Sequence, residues 1–318
     1  MLSNTPLECP PYLLEMAKPL PRVATVVANA INEVTLASAR LADEAGLIEP
    51  ILVGDPEKIA QAAQLIGWDL SNIRIETALD EASACARSVE IINAGEAASM
   101  MKGHVHTDTL LRAVLNRKGG LRTDNRLSHV FHMTIPGSNK KLCITDAVIN
   151  VSPSVVDKIH IAQNAINLMH ALGNSMPHMA ILSGTEEVTR SMQSSVDAAE
   201  LTKLAKMGAL RGAIVDGPLA FDNAVSLEAA NIKGITSPVA GNADILLVPN
   251  LESGNFLFKQ MVYFMGATAA GIIMGAKVPI ILTSRADPAE ARLASCALAS
   301  IYADYLRASH NSEIARQG

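Results

Sequence analysis

Short apolar runs alternate with helix-patterned stretches from one end of this chain to the other. No other feature constrains its fold as strongly. Strand-like runs fall at 22–28 (RVATVVA), 49–54, 97–102, 142–146, 179–183, 213–216, 244–249 and 278–284. Helical patterns fall between them at 32–45, 56–66, 107–117, 195–207, 255–275 and 288–308. Such alternation predicts an α/β fold with a mostly parallel sheet, because each parallel crossover needs a helix. Asp55-Pro56-Glu57 is the sharpest local signal, with an N-cap carboxylate followed by proline at the first helical position. The uncharged stretch 260–276 is 17 residues long and contains three glycines, short of the ~20 that a membrane span requires. It reads as part of a buried helix.

At 318 residues the chain suits one large or two medium domains. A boundary near 146 is expected, giving 1–146 plus about 297–318 as the first domain and 147–296 as the second. With 3% aromatic residues, the core must be built from Ala, Val, Ile, Leu and Met. A mean hydropathy of +0.23 with net charge −5 excludes disorder. A pI near 5.9 argues against a nucleic-acid coat. Cys9, Cys85, Cys143 and Cys296 form no CxxC pair, so no disulfide scaffold or zinc module is expected. The N-terminus lacks a basic region followed by an unbroken apolar run, so no signal peptide is read there. A cytoplasmic protein without membrane attachment is the expectation.

In open parallel sheets, ligands bind beyond the carboxyl ends of the strands. Three loops there carry chemistry. After 278–284, Ser284 and Arg285 offer a hydroxyl and a guanidinium suited to phosphate or a developing oxyanion. Asp287, Pro288 and Glu290 come next, at positions that fit a helix cap. After 213–216, the loop from Asp216 through Asp222 and Asn223 to Ser226 could hold substrate or a cation, or cap the next helix. After 244–249, Asn255 and Lys259 lie on the helix beyond. Charge is uneven as well. Between Lys102 and Lys141 stand eight basic residues, Arg112 among them, and two acids; that window is +6, leaving −11 for the rest. A basic surface at the mouth of a cleft suits a small polyanion. His104, His106, His129 and His132 share the window without an adjacent carboxylate and read as loop histidines rather than metal ligands. No GxGxxG, GxxxxGK, GxSxG or HExxH occurs.

The stretches MKGHVHTDTLLRAVL (101–115), LSHVFHMTIPG (127–137), LCITDAVINVSP (142–153), DGPLAFDNAVSLEAA (216–230), VAGNADILLVPNLESGNFLFK (239–259) and GIIMGAKVPIILTSRAD (271–287) resemble the phosphate acetyltransferase/phosphate butyryltransferase family, in family order. The DGPLAFD and TSRAD forms look closer to the butyryl-type branch. The resemblance implies reversible transfer of a short acyl group between CoA and inorganic phosphate, without metal, cofactor or covalent acyl-enzyme. It implies a two-domain isocitrate/isopropylmalate-dehydrogenase-like fold with an interdomain cleft, and a homodimer. Ser284 and Arg285 match the family's active-site pair, and Arg112 matches an arginine that binds CoA phosphate. Lys102, Asp216, Asn223, Asn255 and Lys259 are the further candidates for substrate or CoA contact. Acetyl-type members carry an aspartate base where this chain has Ala291, which leaves Glu290 first and Asp287 second for that role. Two other functions remain open from the residues: a metal-dependent NAD(P)-linked hydroxyacid dehydrogenase using Asp216 and Asp222, and a non-catalytic CoA-binding sensor.

Overall fold

The computed structural model describes residues 2–3, 6–283 and 287–317, with side chains as far as Asn311. Ser284 and Arg285 lie outside the described residues. Along the chain the elements are α1 (Pro11–Ala17), β1 (Val23–Ala28), α2 (Glu33–Glu44), β2 (Ile48–Gly54), α3 (Pro56–Ile66), β3 (Arg74–Thr77), α4 (Glu81–Asn93), β4 (Ser99–Lys102) and α5 (Thr107–Val114). They continue with β5 (Ser128–Thr134), β6 (Lys141–Thr145), α6 (Val155–Ala171), β7 (His178–Leu182), α7 (Gln193–Lys206), β8 (Ile214–Leu219), α8 (Phe221–Val225), α9 (Leu227–Ile232), β9 (Ile245–Leu247) and α10 (Leu251–Met265). The last are β10 (Thr268–Met274), β11 (Ile280–Ile281) and α11 (Ala289–Gln317).

The chain divides into two compact units. An N-terminal unit comprises 7–125 and 270–318, and a central unit comprises 1–6 and 126–269. The division falls about 20 residues before the expected boundary, and the chain returns at 270 rather than 297. The reason is pairing: β5 zips antiparallel onto β6, from Val130–Thr145 to Thr134–Lys141, and so belongs to the same unit as β6. Within the N-terminal unit the strand order is β3-β2-β1-β4-β11-β10, parallel except for β10 against β11. Within the central unit it is β5-β6-β9-β7-β8, parallel except for β5 against β6. The α/β, mostly parallel expectation is met.

Local chemistry places the elements. Asp55 caps α3 by accepting from the Glu57 and Lys58 amides, with Pro56 at the first helical position, and Gly67 closes it in the left-handed conformation at φ 64°. Asn32 caps α2 through the Thr35 amide, Ser154 caps α6 in a reciprocal box with Asp157, and Asn250 caps α10. The predicted helix over 255–275 is corrected. Gly266 turns left-handed at φ 66° and ends α10, and the remaining residues form the buried strand β10. A short apolar run has no period that separates a strand from a buried helix, and the Ile272-Ile273 pair tips it to a strand. Each unit has an aliphatic core. Val26, Leu52, Met100 and Ile280 are fully buried in the N-terminal unit, and Met133, Ile144, Val239 and Leu246 in the central one.

Candidate active site

The N-terminal unit carries a topological switch point. From β1 the chain steps outward to β2 and β3, then returns to place β4 on the other side of β1. The connections leave β1 and β4 in opposite directions there, opening a crevice at the carboxyl ends of the two strands. Residues at those two ends are locked together. Asn29, just past β1, holds φ 58°, a left-handed conformation that asparagine tolerates better than most residues. Its Nδ2 donates to the His104 carbonyl at 2.5 Å, and the Gly103 and His104 amides donate to the Ala28 and Asn29 carbonyls. A Cβ on Gly103 would stand 2.3 Å from the Ala28 oxygen, so only glycine lets the two strand ends approach this closely.

A cavity of about 90 Å³ opens at this point, lined by Asn32, Lys102, His104, Thr283 and Arg292 among others. No carboxylate stands among the described residues that line it. Asn32 sets the chemistry of His104. Its Oδ1 is taken by the Thr35 amide at 2.9 Å, so the group 2.9 Å from His104 Nδ1 is the Nδ2 donor. Nδ1 therefore accepts, and the imidazole proton sits on Nε2. Arg292, in the first turn of α11, donates from Nη1 to the Asp287 carbonyl.

Of the expected site residues, Lys102 ends β4 on this cavity; Thr283, which precedes the expected Ser284-Arg285 pair in the sequence, also lines it. Glu290 lies in the first turn of α11. Burial and the Glu290 carboxylate together push the Cys9 thiol up to about 11, so Glu290 stands within electrostatic reach of that cysteine. α11 begins at Ala289, one residue later than a cap at Asp287 implies. Arg112 is exposed in the last turn of α5.

The other candidates belong to the central unit. β8 runs on to Leu219, so Asp216 sits within the strand and not in the loop after it. Asn223 is fully buried in α8, and its Nδ2 donates to Glu186 at 3.2 Å. Asp222 pairs with Lys233 at 3.3 Å instead of capping, whereas Ser226 caps α9 as expected. Asn255 donates to the Ala147 carbonyl beyond β6, and Lys259 is exposed on α10. The +6 window is divided at 125/126 between the two units. Two of its cations are neutralised inside the central unit, Arg126 by Asp157 and Lys140 by Asp244.

The four histidines serve separate purposes. His104 faces Asn32, and His106 pairs with Glu81 at 2.9 Å. His129 packs on Phe131 with ring centroids 4.3 Å apart. His132 lies 3.5 Å from Cys143 Sγ, and burial pulls it down to about 3. The last two are buried strand residues, not loop residues. Sequence reasoning passed over Arg292, which no motif marks, and the pairing of Asn32 with His104, which are 72 residues apart.

At the switch point of a parallel α/β unit, a cavity lined by Lys102 and Arg292, with no carboxylate among the described lining residues, is chemically suited to an oxyanion. The chain belongs to the family described as phosphate acetyl/butaryl transferase, whose model matches residues 76–300. It is 47% identical to the phosphate acetyltransferase of Rickettsia prowazekii (strain Madrid E) over 94% of this chain and 86% of that protein. It is 42% identical to the phosphate butyryltransferase of Clostridium beijerinckii (strain ATCC 51743 / NCIMB 8052) over 92% of this chain and 96% of that one. A branched-chain phosphotransacylase from Enterococcus faecalis V583 superposes with a TM-score of 0.78 at 31% identity, covering 88% of this chain and 99% of that structure. With both branches matched this closely, identity alone does not assign the chain to one of them.

Proposed function

We propose that this chain catalyses acyl-CoA + phosphate ⇌ acyl phosphate + CoA for a short acyl group, acetyl or butyryl. Family membership along nearly the whole chain supports the reaction class. The observation that carries the reading to a place in the molecule is the cavity at the β1/β4 switch point, with Lys102 and Thr283 at its edge. On this reading the fold is the two-domain isocitrate/isopropylmalate-dehydrogenase type, the enzyme is cytoplasmic, and CoA is a substrate, so no cofactor is required. No described helix is long and apolar enough to cross a membrane.

The chemistry asks little beyond placement and charge. Phosphate attacks a thioester carbonyl while both partners bear or develop negative charge. Ser284 and Arg285 hold the phosphate and the developing oxyanion, and one such donor is typically worth ~3–4 kcal/mol of barrier. Orienting two bound substrates contributes up to ~7–11 kcal/mol in favourable cases. In reverse, a thiol with a pKa of about 8.5 must lose its proton, and Glu290 is the carboxylate assigned to take it, Asp287 the second choice. Lys102, Arg112, Asn223, Asn255 and Lys259 are assigned to substrate and CoA. Asp216, inside β8, is assigned to the same set.

A homodimer is part of the proposal. Phe256, Tyr263 and Phe264 of α10 are exposed beside Met265, an apolar concentration unusual in a chain this poor in aromatics. Light scattering should return twice the 33.6 kDa chain mass, and a monomer would refute the pairing. The reaction is tested by thioester formation from CoA with acetyl phosphate or butyryl phosphate. Turnover with at least one is expected; a folded protein that consumes neither is not this enzyme.

A further inference from the structure

We infer that the switch-point cavity is the seat of inorganic phosphate, with Arg292 and His104 as its binding residues beside Lys102; this rests on the acyltransferase reading. Several of the side chains that line the cavity carry donors. Lys102 brings an ammonium, Arg292 a guanidinium, and His104 a proton on Nε2 because Asn32 occupies Nδ1. Thr283 adds a hydroxyl. With no carboxylate in the described lining, the complementary ligand is one rich in acceptors and negative charge, an oxyanion.

Arg292 supplies an independent sign. Its Nη1 is anchored on the Asp287 carbonyl, yet its Nε is buried without an acceptor among the described residues. A buried guanidinium N–H left unpaired is costly, and a bound water or anion is one of the arrangements that relieves it in native proteins. At about 90 Å³ the cavity has room for a small polyatomic anion. Drug-sized ligands occupy sites of about 300–1,000 Å³, and CoA is larger than most of them. The cavity is thus sized for a single anionic group and not for the body of CoA, and the two KM values separate free phosphate from a phosphate of CoA.

The test is a split of Michaelis constants. Arg292→Gln and His104→Ala are each expected to raise KM for inorganic phosphate ~10–100-fold, the worth of one hydrogen bond to a charged group, with KM for acetyl-CoA or butyryl-CoA changed less than about threefold. Arg292→Lys, which keeps the charge without the fork, should recover part of the loss. Phosphate KM unchanged in both variants, or both KM values rising together, overturns the assignment. Binding is read separately from turnover. Inorganic phosphate should raise the melting temperature of the wild-type chain, and His104→Ala should abolish that rise even if Arg292→Gln does not fold. Should the wild-type chain fail to turn over any acyl-CoA, the acyltransferase reading falls while the phosphate-dependent rise still decides the cavity. No rise in the wild type, or an equal rise in His104→Ala, refutes it.

Discussion

Arg285→Gln is expected to lower turnover of acyl phosphate and CoA by ~10²–10³-fold while the melting temperature holds. The size comes from removing one preorganised donor from a developing oxyanion, ~2.7–4 kcal/mol. Stability should hold because both flanks are anchored without this residue. Ile280 and Ile281 of β11 pair with Met100 and Met101 on one side and with Ile273 and Ile272 on the other. α11 buries Ala294, Cys296, Leu298 and Ile301 against its own unit. Arg285→Lys should recover little, since an ammonium cannot reproduce a bidentate clamp on a tetrahedral anion. Comparison with Arg292→Gln separates the roles: kcat should carry most of the loss at position 285, and KM for phosphate most of it at 292. Wild-type kcat in Arg285→Gln would remove it from the chemistry.

The alternation of apolar runs and capped helices makes the segment from β1 to α3 legible from its residues alone, whereas that alternation does not predict α1, β3 or α4. β1, α2, β2 and α3 stand where Asn32, Asp55 and Pro56 signal them. The pattern is less informative where the physics is degenerate. Thr268–Met274 carries no period of its own; Gly266 stops the helix before it, and the β-branched Ile272-Ile273 pair favours a strand. The unit boundary escapes for a related reason: β5 carries His129 and His132 in a buried strand, a composition that reads as a polar loop. The site is partly legible because Lys102 ends β4 and Thr283 follows two residues after β11, and strand ends are where α/β ligands bind. Arg292 and the Asn32–His104 pair are not, because their meaning comes from the close approach of β1 and β4. Sequence spacing carries no trace of it.

The second large effect is one of stability, and its asymmetry is the point of the experiment. In the central unit, Lys158 of α6 reaches Asp197 of α7 at 2.8 Å; the lysine side chain is 5% exposed and the aspartate 16%. Burial alone would raise the Asp197 carboxyl, but hydrogen bonds from Lys158 and Gln193 outweigh it, and the group titrates below the ordinary range. Asp197→Ala strands a nearly fully buried ammonium and is expected to cost ~3–5 kcal/mol, the usual penalty for an uncompensated buried charge. At about 2–4 °C per kcal/mol for units of this size, the melting temperature should fall roughly 6–20 °C. Lys158→Met should cost clearly less, because the carboxylate left behind touches solvent and keeps the Gln193 bond at 2.7 Å. The double variant Lys158→Met/Asp197→Ala should recover most of the Asp197→Ala loss, as the charge that needed a partner is gone. The depressed carboxyl fixes the sign with pH. Its contribution is full above the unfolded value of about 3.9 and disappears as pH falls through the lower folded value. The gap between wild type and Asp197→Ala should therefore narrow below about pH 4. Equal losses from the two single variants, or a gap that widens in acid, would show that the pair is not held as a buried charge with one solvated end.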